Sequence, residues 1–389
     1  MKKGTLLLIL GNLASFGPFV TDLYLPSLPA LAQHFSTTPS MVQMSLTASM
    51  IGLAAGQLFF GPISDKYGRL RPLLLNLTLF VIATAGCIVF PDINGFIICR
   101  LLQGLTGASG LVISKAMVAD MYTGQEMGRL FAILTSIQFI SPIVAPVLGG
   151  VILGLTAWQG IFIVLGIWGL ILLYAGTRLT ETLPVEKRLQ LPVSQSLKAF
   201  APLLRNRRFM IMNLLQAFVG IAFFSYISAS PFLFQSHFGL SSINYSIIFA
   251  FNASGLIIGS ILVLKLQRQE SALIPGSIFT MVTCALTSIS LLAGWPLIAF
   301  EASLFLMIFS CGLLIPIGNS LALDSAHKNR GSAAALLGAI AFLVGGLVAP
   351  MVCIGNMMYS TIILFMAGAA ISLSLCIYDR HTSKYRTIK

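Results

Sequence analysis

The feature that most constrains this chain is a succession of long apolar runs separated by short polar breaks. A bilayer core about 30 Å thick needs roughly 20 apolar residues to be crossed by a helix. Runs of this length lie near residues 5–32, 41–62, 72–90, 95–118, 129–153, 159–177, 209–235, 243–264, 272–292, 297–322, 332–354 and 358–377. The sequence therefore predicts an all-α membrane protein with twelve transmembrane helices.

The composition excludes a soluble enzyme, a disordered protein and a secreted disulfide scaffold. Of the 389 residues, 57% are hydrophobic and 9% are charged, whereas a soluble domain carries about 25% charged residues. The net charge of +12 does not indicate nucleic-acid binding, because the basic residues stand between apolar runs and form no polar basic face. The sequence shows no His, Cys or Ser cluster with catalytic or metal-ligand spacing. We therefore expect no enzyme, no cofactor, no metal and no nucleic-acid partner.

The distribution of Lys and Arg predicts the orientation in the membrane, because cytoplasmic loops are enriched in both. With the N-terminus inside, the cytoplasmic segments hold all of the 23 Lys and Arg residues except Arg100 and Lys115, which lie within helix four. This predicts that both termini are cytoplasmic. The N-terminus imitates a signal peptide, but its apolar run is far longer than such a signal. We therefore expect it to be kept as the first helix.

One long polar stretch divides the chain. It covers residues 179–208, contains Pro184, Pro192 and Pro202, and predicts a cytoplasmic linker between two six-helix bundles at 1–178 and 209–389. A weak internal repeat agrees with this division, since Ile143-Val144-Ala145-Pro146 in helix five recurs as Leu347-Val348-Ala349-Pro350 in helix eleven. Repeats of this kind are typical of transporters.

Four ionisable residues lie inside the apolar runs, where a charge costs at least about 2.5 kcal/mol. Asp22 stands between Pro18 and Pro26, which bend the helix and open a polar pocket. A carboxyl group there can take a proton from one side and release it on the other, and the alternative is a permanent structural ion pair. Arg100 keeps its proton and needs a polar partner, for which Asp22 is the nearest candidate by depth; otherwise it reaches the outer interface.

The other two intramembrane groups, Lys115 and Glu301, lie nearer to the ends of their helices. Lys115 can reach the cytoplasmic interface, so a structural role is at least as good an interpretation as transport. Glu301 either reaches the outer interface or stays protonated. Both are secondary ionisable candidates.

Two further segments carry a specific order of residues. The loop Gly61–Pro72 combines glycines that permit a tight turn with Asp65 and with cations that keep the loop inside. In helix five, prolines and glycines bend and thin the helix, which allows close packing or hinge motion.

These segments resemble the major facilitator superfamily. The loop Gly61–Pro72 is similar to its signature between helices two and three, and Arg100-Leu101-Leu102-Gln103-Gly104 to its second motif in helix four. The run Ala145-Pro146-Val147-Leu148-Gly149-Gly150 resembles the antiporter motif of helix five, with Ala145 in place of the usual Gly. Closer matches point to the Bcr/CflA drug-resistance branch, and they are Asp22-Leu23-Tyr24-Leu25-Pro26, Tyr226-Ile227-Ser228 with Ser230-Pro231-Phe232, Phe249-Ala250-Phe251-Asn252-Ala253, and Gly331-Ser332-Ala333-Ala334-Ala335-Leu336-Leu337-Gly338.

The resemblance implies a twelve-helix exporter of the bacterial inner membrane that exchanges protons for small, mostly apolar drugs. It places proton coupling at Asp22 and Arg100 and the antiporter motif at Pro146, Gly149 and Gly150. The cytoplasmic gate would comprise Gly61, Asp65, Gly68, Arg69, Arg71, Asp120 and Arg129. Relatives often have Arg where this chain has Ala119, so its gate network is expected to differ, and Lys115 stands where relatives often carry Arg.

We therefore expect a proton-coupled antiporter in which two six-helix bundles rock around a central cavity. The substrate-cavity candidates are Tyr24, Tyr226, Phe232, Asn252 and Asn319, which put aromatic or amide groups on bundle-facing helices. A monomer suffices, the proton gradient supplies the energy, and the partners are protons, a small molecule and the lipid bilayer. A proton-coupled uptake symporter or a non-transporting membrane sensor are the alternatives, and an antibiotic, a siderophore and a nucleoside-like metabolite are all compatible substrates.

Overall fold

The computed structural model describes residues 3–190, 197–326 and 330–386, and the regular structure in these ranges is helical. The first apolar run forms α1 (Lys3–Ala14), α2 (Phe16–Asp22) and α3 (Leu28–His34). The next five helices are α4 (Pro39–Tyr67), α5 (Leu70–Val89), α6 (Ile93–Met121), α7 (Gly124–Leu155) and α8 (Gln159–Thr177). The remaining helices are α9 (Ala201–Arg205), α10 (Arg207–Phe232), α11 (Ser242–Val263), α12 (Gln269–Leu292), α13 (Leu297–Ser325), α14 (Arg330–Met351) and α15 (Met357–Arg386).

The prediction of an all-α protein with many membrane-spanning helices is confirmed. Among the described residues, 11 helices are long and apolar enough to cross a bilayer, or up to 12 if the broken first run counts as one span. Several helices are longer than the apolar runs predicted from the sequence, because a helix can include a polar turn at its end. For example, α6 ends at Met121, beyond the apolar run that stops near residue 118.

The chain forms two compact units. The first comprises Met1–Lys198 with Leu240–Ile247, and the second comprises Ala199–Gly239 with Ile248–Lys389. Each unit has its own buried interior; in the first, the ring of Phe16 packs against Phe80 and Trp168 with centroid distances of 4.5 and 4.8 Å.

The first span is broken at its prolines. The segments Lys3–Ala14 and Phe16–His34 meet at a bend of 42°, and a 3-10 turn at Leu25–Ser27 separates α2 from α3. Proline lacks the N–H that would continue the ladder of helical hydrogen bonds. The 3-10 turn is the break beside Asp22, the last residue of α2, whereas the 42° bend lies earlier in the span, near Ser15.

In each unit, glycines bring one pair of helices into backbone contact. A Cβ at Gly52 of α4 would lie within 2.5 Å of a carbonyl oxygen of α6, and a Cβ at Gly104 of α6 within 2.5 Å of one of α4. The second unit repeats this arrangement, with Gly259 of α11 and Gly312 of α13. Small residues of this kind allow transmembrane helices to approach closely. The first pair carries Arg100 on α6, and the second carries Glu301 on α13.

Candidate functional site

The Asp22 carboxylate is buried at the break in the first span. Asp22 is 6% exposed, and its Oδ1 accepts a hydrogen bond of 2.8 Å from the Thr21 hydroxyl. The ion pairs of the described residues join other groups, so Asp22 has no cation within 4.0 Å. An intramembrane carboxyl group without a fixed counter-ion is free to gain and lose a proton.

The Arg100 side chain of α6 is fully buried, at 0% exposure, next to this break. Its Nη2 donates to the Val20 carbonyl oxygen at 2.7 Å and to the Ser49 hydroxyl at 3.2 Å, and its Nη1 donates to Gln103. Its guanidinium carbon lies 4.0 Å from the centre of the Tyr24 ring, a cation–π contact. Arg100 therefore faces the interior of the first unit and does not reach the outer interface.

The helix break explains why this guanidinium binds a backbone carbonyl and does not pair with Asp22, its expected partner. In a continuous helix each carbonyl accepts from the N–H four residues later. Here the Leu23 N–H still bonds to Phe19, whereas the Ser27 N–H bonds to Tyr24 in the 3-10 turn, so the α-helical ladder ends close to Val20. The carbonyl at the end of the segment needs another donor, and the arginine supplies it.

The helix-five motif packs directly against this break. A Cβ at Gly149 of α7 would lie within 2.5 Å of the Leu23 carbonyl oxygen, one residue from Asp22. Pro146 lies inside α7 and is buried. Gly150 faces Ser246, and both residues belong to the first unit. The structure thus brings the proline and glycine motif together with the proposed proton-coupling residue.

A second cluster forms around Arg69, where α4 ends and α5 begins. Its Nε and Nη2 donate to the two oxygens of Asp120 at 2.8 and 3.1 Å. Its Nη1 donates to Asp65 at 2.5 Å and to the Ser64 hydroxyl at 2.8 Å. The residue before it, Gly68, has a φ of 87°, which favours glycine. The expected gate residues at the ends of α4 and α6 therefore meet in one charged cluster.

The remaining charged gate candidates, Arg71 and Arg129, stand apart from this cluster, whereas Gly61 joins it through Ser64. Among the described residues, neither Arg71 nor Arg129 forms an ion pair, and both are exposed. Gly61 contributes its carbonyl oxygen, which accepts from Ser64 at 2.9 Å. Lys115 likewise forms no ion pair among the residues that the structure describes.

Sequence reasoning missed Glu181, which ties the start of the linker to the Arg69 cluster. Its oxygens accept from the backbone N–H groups of Arg69 at 2.9 Å and Leu70 at 3.2 Å, and from those of Thr182 and Leu183 at 3.0 Å each. Partial burial acts to raise the pKa of Glu181, but the four N–H donors outweigh it and lower the pKa below its ordinary value. A lone Glu in a polar stretch carries no sequence signal for this contact.

The cavity candidates are divided between the two units. Tyr24 lies in the first unit, with its ring over Arg100 and its hydroxyl 3.3 Å from that of Ser45. In the second unit, the ring of Tyr226 stacks on that of Phe249 at 5.3 Å. Phe232 and Asn252 are buried, at 6% and 0% exposure, and Asn319 is half-buried.

Glu301 also lies in the second unit, in the second turn of α13. Both of its carboxylate oxygens are buried and lack a hydrogen-bond partner in the described part of the chain. The carboxyl group of Glu301 therefore does not reach the outer interface, which was one of the two alternatives expected for it.

Several known proteins are similar to this chain over nearly its full length. A protein similar to it is a transporter of Bacillus subtilis (strain 168) named "Uncharacterized MFS-type transporter YdgK", 38% identical over 362 residues that cover 91% of this chain and 90% of the relative. The "Bicyclomycin resistance protein homolog" of Haemophilus influenzae is 27% identical and covers 98% of both chains. Among solved structures, the xylose transporter XylE of E. coli matches with a TM-score of 0.75 at 14% identity and covers 96% of each chain, which supports the fold alone.

The family model described as Major Facilitator Superfamily matches residues 8–350. This match and the drug-resistance relative confirm the resemblance drawn from the sequence motifs. The chain is a multi-pass membrane transporter and not an enzyme, and it belongs to the major facilitator superfamily, among relatives of its drug-resistance branch.

Proposed function

We propose that this transporter exports small, largely hydrophobic molecules from the cytoplasm in exchange for protons. One observation carries the proposal. Asp22 is buried at a break in the first span without a cation within reach, while the neighbouring Arg100 is bonded elsewhere. Protonation and release at Asp22 therefore break no ion pair.

Exchange follows if proton and substrate favour different states of the protein. Each ligand shifts the population toward the state that binds it better. A protonated Asp22 would belong to the outward-facing state, and loss of the proton in the inward-facing state would favour entry of the substrate. The contact of Gly149 with the Leu23 carbonyl gives a change at Asp22 a direct mechanical path into α7.

The Arg69 cluster would act as the cytoplasmic gate. Its bonds to Asp65 and Asp120 join the ends of α4 and α6, and Glu181 adds the linker. Charge-assisted bonds of this kind are individually strong and depend on geometry. They would stabilise one state of the transport cycle and would have to break in the other.

Export is the direction supported by the relative named for bicyclomycin resistance. The basic residues of the predicted cytoplasmic loops support a location in the bacterial inner membrane with both termini inside. We propose a monomer that needs no cofactor, since one chain contains both units and the proton gradient supplies the energy.

The test uses everted membrane vesicles that respiration has acidified inside. Adding bicyclomycin or another neutral hydrophobic antibiotic should make the lumen more alkaline, because each molecule that enters is exchanged for protons. The Asp22→Asn variant should lose this response, since the amide cannot carry a proton. Glu186→Gln, which changes an exposed carboxylate of the linker, is the matched control.

Three other results would contradict the proposal. No response to any compound in the wild type would remove the antiporter function. A response that persists in Asp22→Asn would move the proton site to another residue. Acidification of the lumen in place of alkalinisation would indicate cotransport with protons, as in an uptake symporter.

A further inference from the structure

The contact between α11 and α13 follows a regular stripe of residues. On α11 the stripe comprises Asn252, Gly255 and Gly259, and on α13 it includes Glu301 and Phe305. These spacings of three and four residues put each set on one face of its helix. Asn252 and Glu301 thus occupy the same end of one helix–helix contact.

The part of this stripe that follows Asn252 and Glu301 along the two helices is tightly packed. A Cβ at Gly259 would lie 2.5 Å from the Phe309 carbonyl oxygen, and one at Gly255 would lie 2.9 Å from the Phe305 ring. The ring of Phe251 stacks on that of Phe305 with centroids 4.7 Å apart. The two helices are therefore held together in the turns that follow Asn252 and Glu301.

Polar groups at the end of the stripe remain unsatisfied. Asn252 is 0% exposed, and neither its Oδ1 nor its Nδ2 has a hydrogen-bond partner in the described part of the chain. Both oxygens of Glu301 are buried and equally unpartnered. The amide lies beside the carboxylate, but the two are not in hydrogen-bonding geometry. Buried polar groups are normally bonded, so unpaired ones need an explanation.

In the equivalent helix pair of the first unit, α4 and α6, the buried charge has hydrogen-bond partners. There Arg100 of α6 bonds to Ser49 of α4, to the Val20 carbonyl oxygen and to Gln103, and only its Nε lacks a partner. Glu301 of α13 has no comparable partners. The first pair therefore holds its charge as part of the fold, whereas the second leaves three acceptor oxygens open.

We propose that Glu301 and Asn252 form a binding subsite for the ammonium group of a cationic amphiphilic substrate. A bound cation favours the ionised form of the Glu301 carboxyl group. Its two oxygens and Oδ1 of Asn252 then match the three N–H donors of a primary ammonium group. Apolar surface beside the pair comes from the stacked rings of Phe305, one turn after Glu301, and Phe251, the residue before Asn252. This inference rests on the proposed transport function and gives it a substrate class.

A divalent metal ion fits this pair less well. Calcium takes six to eight oxygen ligands and magnesium six, and the two side chains provide three oxygens. The described residues contain no group of three or more His, Cys, Asp or Glu that could hold a metal. One carboxylate and one amide are sufficient for a single organic cation.

The test measures binding of matched probes to the purified full-length protein by calorimetry. The first pair is 4-phenylbutylamine, which is cationic at pH 7 as the Lys side chain is, and its neutral N-acetyl derivative. The variants are Glu301→Gln and Asn252→Leu, with Glu186→Gln as the control for an exposed carboxylate. The trimethylammonium analogue of the amine, which lacks N–H donors, separates hydrogen bonding from charge alone.

We expect Glu301→Gln to raise the Kd of the amine by about tenfold or more, because a charge-assisted hydrogen bond is lost. The Kd of the N-acetyl derivative should stay within roughly twofold, since the neutral compound does not use the site. Asn252→Leu should weaken amine binding less, and the trimethylammonium analogue should bind the wild type more weakly than the primary amine. Proton exchange driven by neutral antibiotics should persist in Glu301→Gln, and cooperative thermal unfolding near the wild-type temperature should show that both variants fold.

Several results would overturn the inference. Equal affinity of the wild type for the amine and its N-acetyl derivative, or no binding of either, would remove the subsite while leaving neutral-drug exchange to be judged separately. Loss of neutral-drug exchange in Glu301→Gln would instead make Glu301 a second proton-coupling group. Failure of neutral-drug exchange in the wild type itself would contradict the proposed function and not only this subsite.

Discussion

Replacing Gly149 by alanine tests whether close packing of α7 on the broken first span supports transport. A Cβ at this position would lie within 2.5 Å of the Leu23 carbonyl oxygen, whereas ordinary contact begins at 3.4 Å. Helix α7 would therefore have to withdraw by at least 3.4 − 2.5 = 0.9 Å. The atom that blocks the Cβ belongs to the backbone and cannot rotate away.

The loss of stability expected for Gly149→Ala can be compared with Gly154→Ala, a control on the same helix. Overpacking a filled interior costs about 1–3 kcal/mol, and Gly149→Ala should lie near the upper end. Alanine also favours a helix over glycine by about 1 kcal/mol, which leaves a net loss of about 2 kcal/mol at this position. A Cβ at Gly154 would meet nothing within 4 Å, so Gly154→Ala should gain up to about 1 kcal/mol.

The two variants should thus differ by about 3 kcal/mol in stability, with opposite signs relative to the wild type. Thermal unfolding of the purified proteins in detergent measures the stability, and substrate-dependent proton exchange in everted vesicles measures the function. Gly149→Ala should unfold at a lower temperature and lose most of the exchange, because Asp22 lies one residue from the displaced carbonyl. Equal unfolding temperatures for the two variants would refute the packing argument.

Three further predictions concern charge and backbone conformation. Glu181→Gln should lower the stability by roughly 1–2 kcal/mol through weaker bonds to four N–H donors, with Glu186→Gln unchanged in thermal unfolding. Because the folded pKa of Glu181 is below its unfolded value of 4.5, its contribution is present above about pH 4.5 and is lost as the pH falls through the folded pKa; a pH titration of unfolding that is identical for the wild type and Glu181→Gln would contradict this. Arg100→Lys should abolish substrate-driven proton exchange, since an ammonium group lacks the planar fork that reaches several acceptors at once, and full activity would show that charge alone suffices. Gly68→Ala should cost about 1–3 kcal/mol because of its φ of 87°, whereas Gly128→Ala, which lies in α7 with nothing within 4 Å of its Cβ, should unfold no lower than the wild type.

The fold was predictable because the signal for it is local. Each apolar run is long enough to cross a bilayer by itself, so the number of helices follows from counting runs. Pro18 and Pro26 predicted the broken first span, because each proline lacks the backbone N–H of a regular helix. The exact helix ends were not predictable, because polar turns extend helices beyond the apolar runs.

The site residues could be nominated from sequence, but their partners could not. Asp22, Arg100 and Glu301 stand out because a charge in an apolar run is costly. Which group each one meets depends on residues far away in the chain. The Val20 carbonyl that binds Arg100 lies close to where the α-helix gives way to a 3-10 turn, and nothing about a valine signals this role.

The sequence by itself determined that this protein is a helical transporter of the membrane and which intramembrane residues are candidates for its chemistry. Length, hydrophobicity and charge are properties of each segment, and a bilayer selects on them directly. Only the tertiary structure decided that Glu181 bonds the start of α5, that Gly149 touches the segment of Asp22, and that Glu301 is left without a partner. Hydrogen bonds and close contacts act over a few ångströms, so they exist only where folding brings distant parts of the chain together.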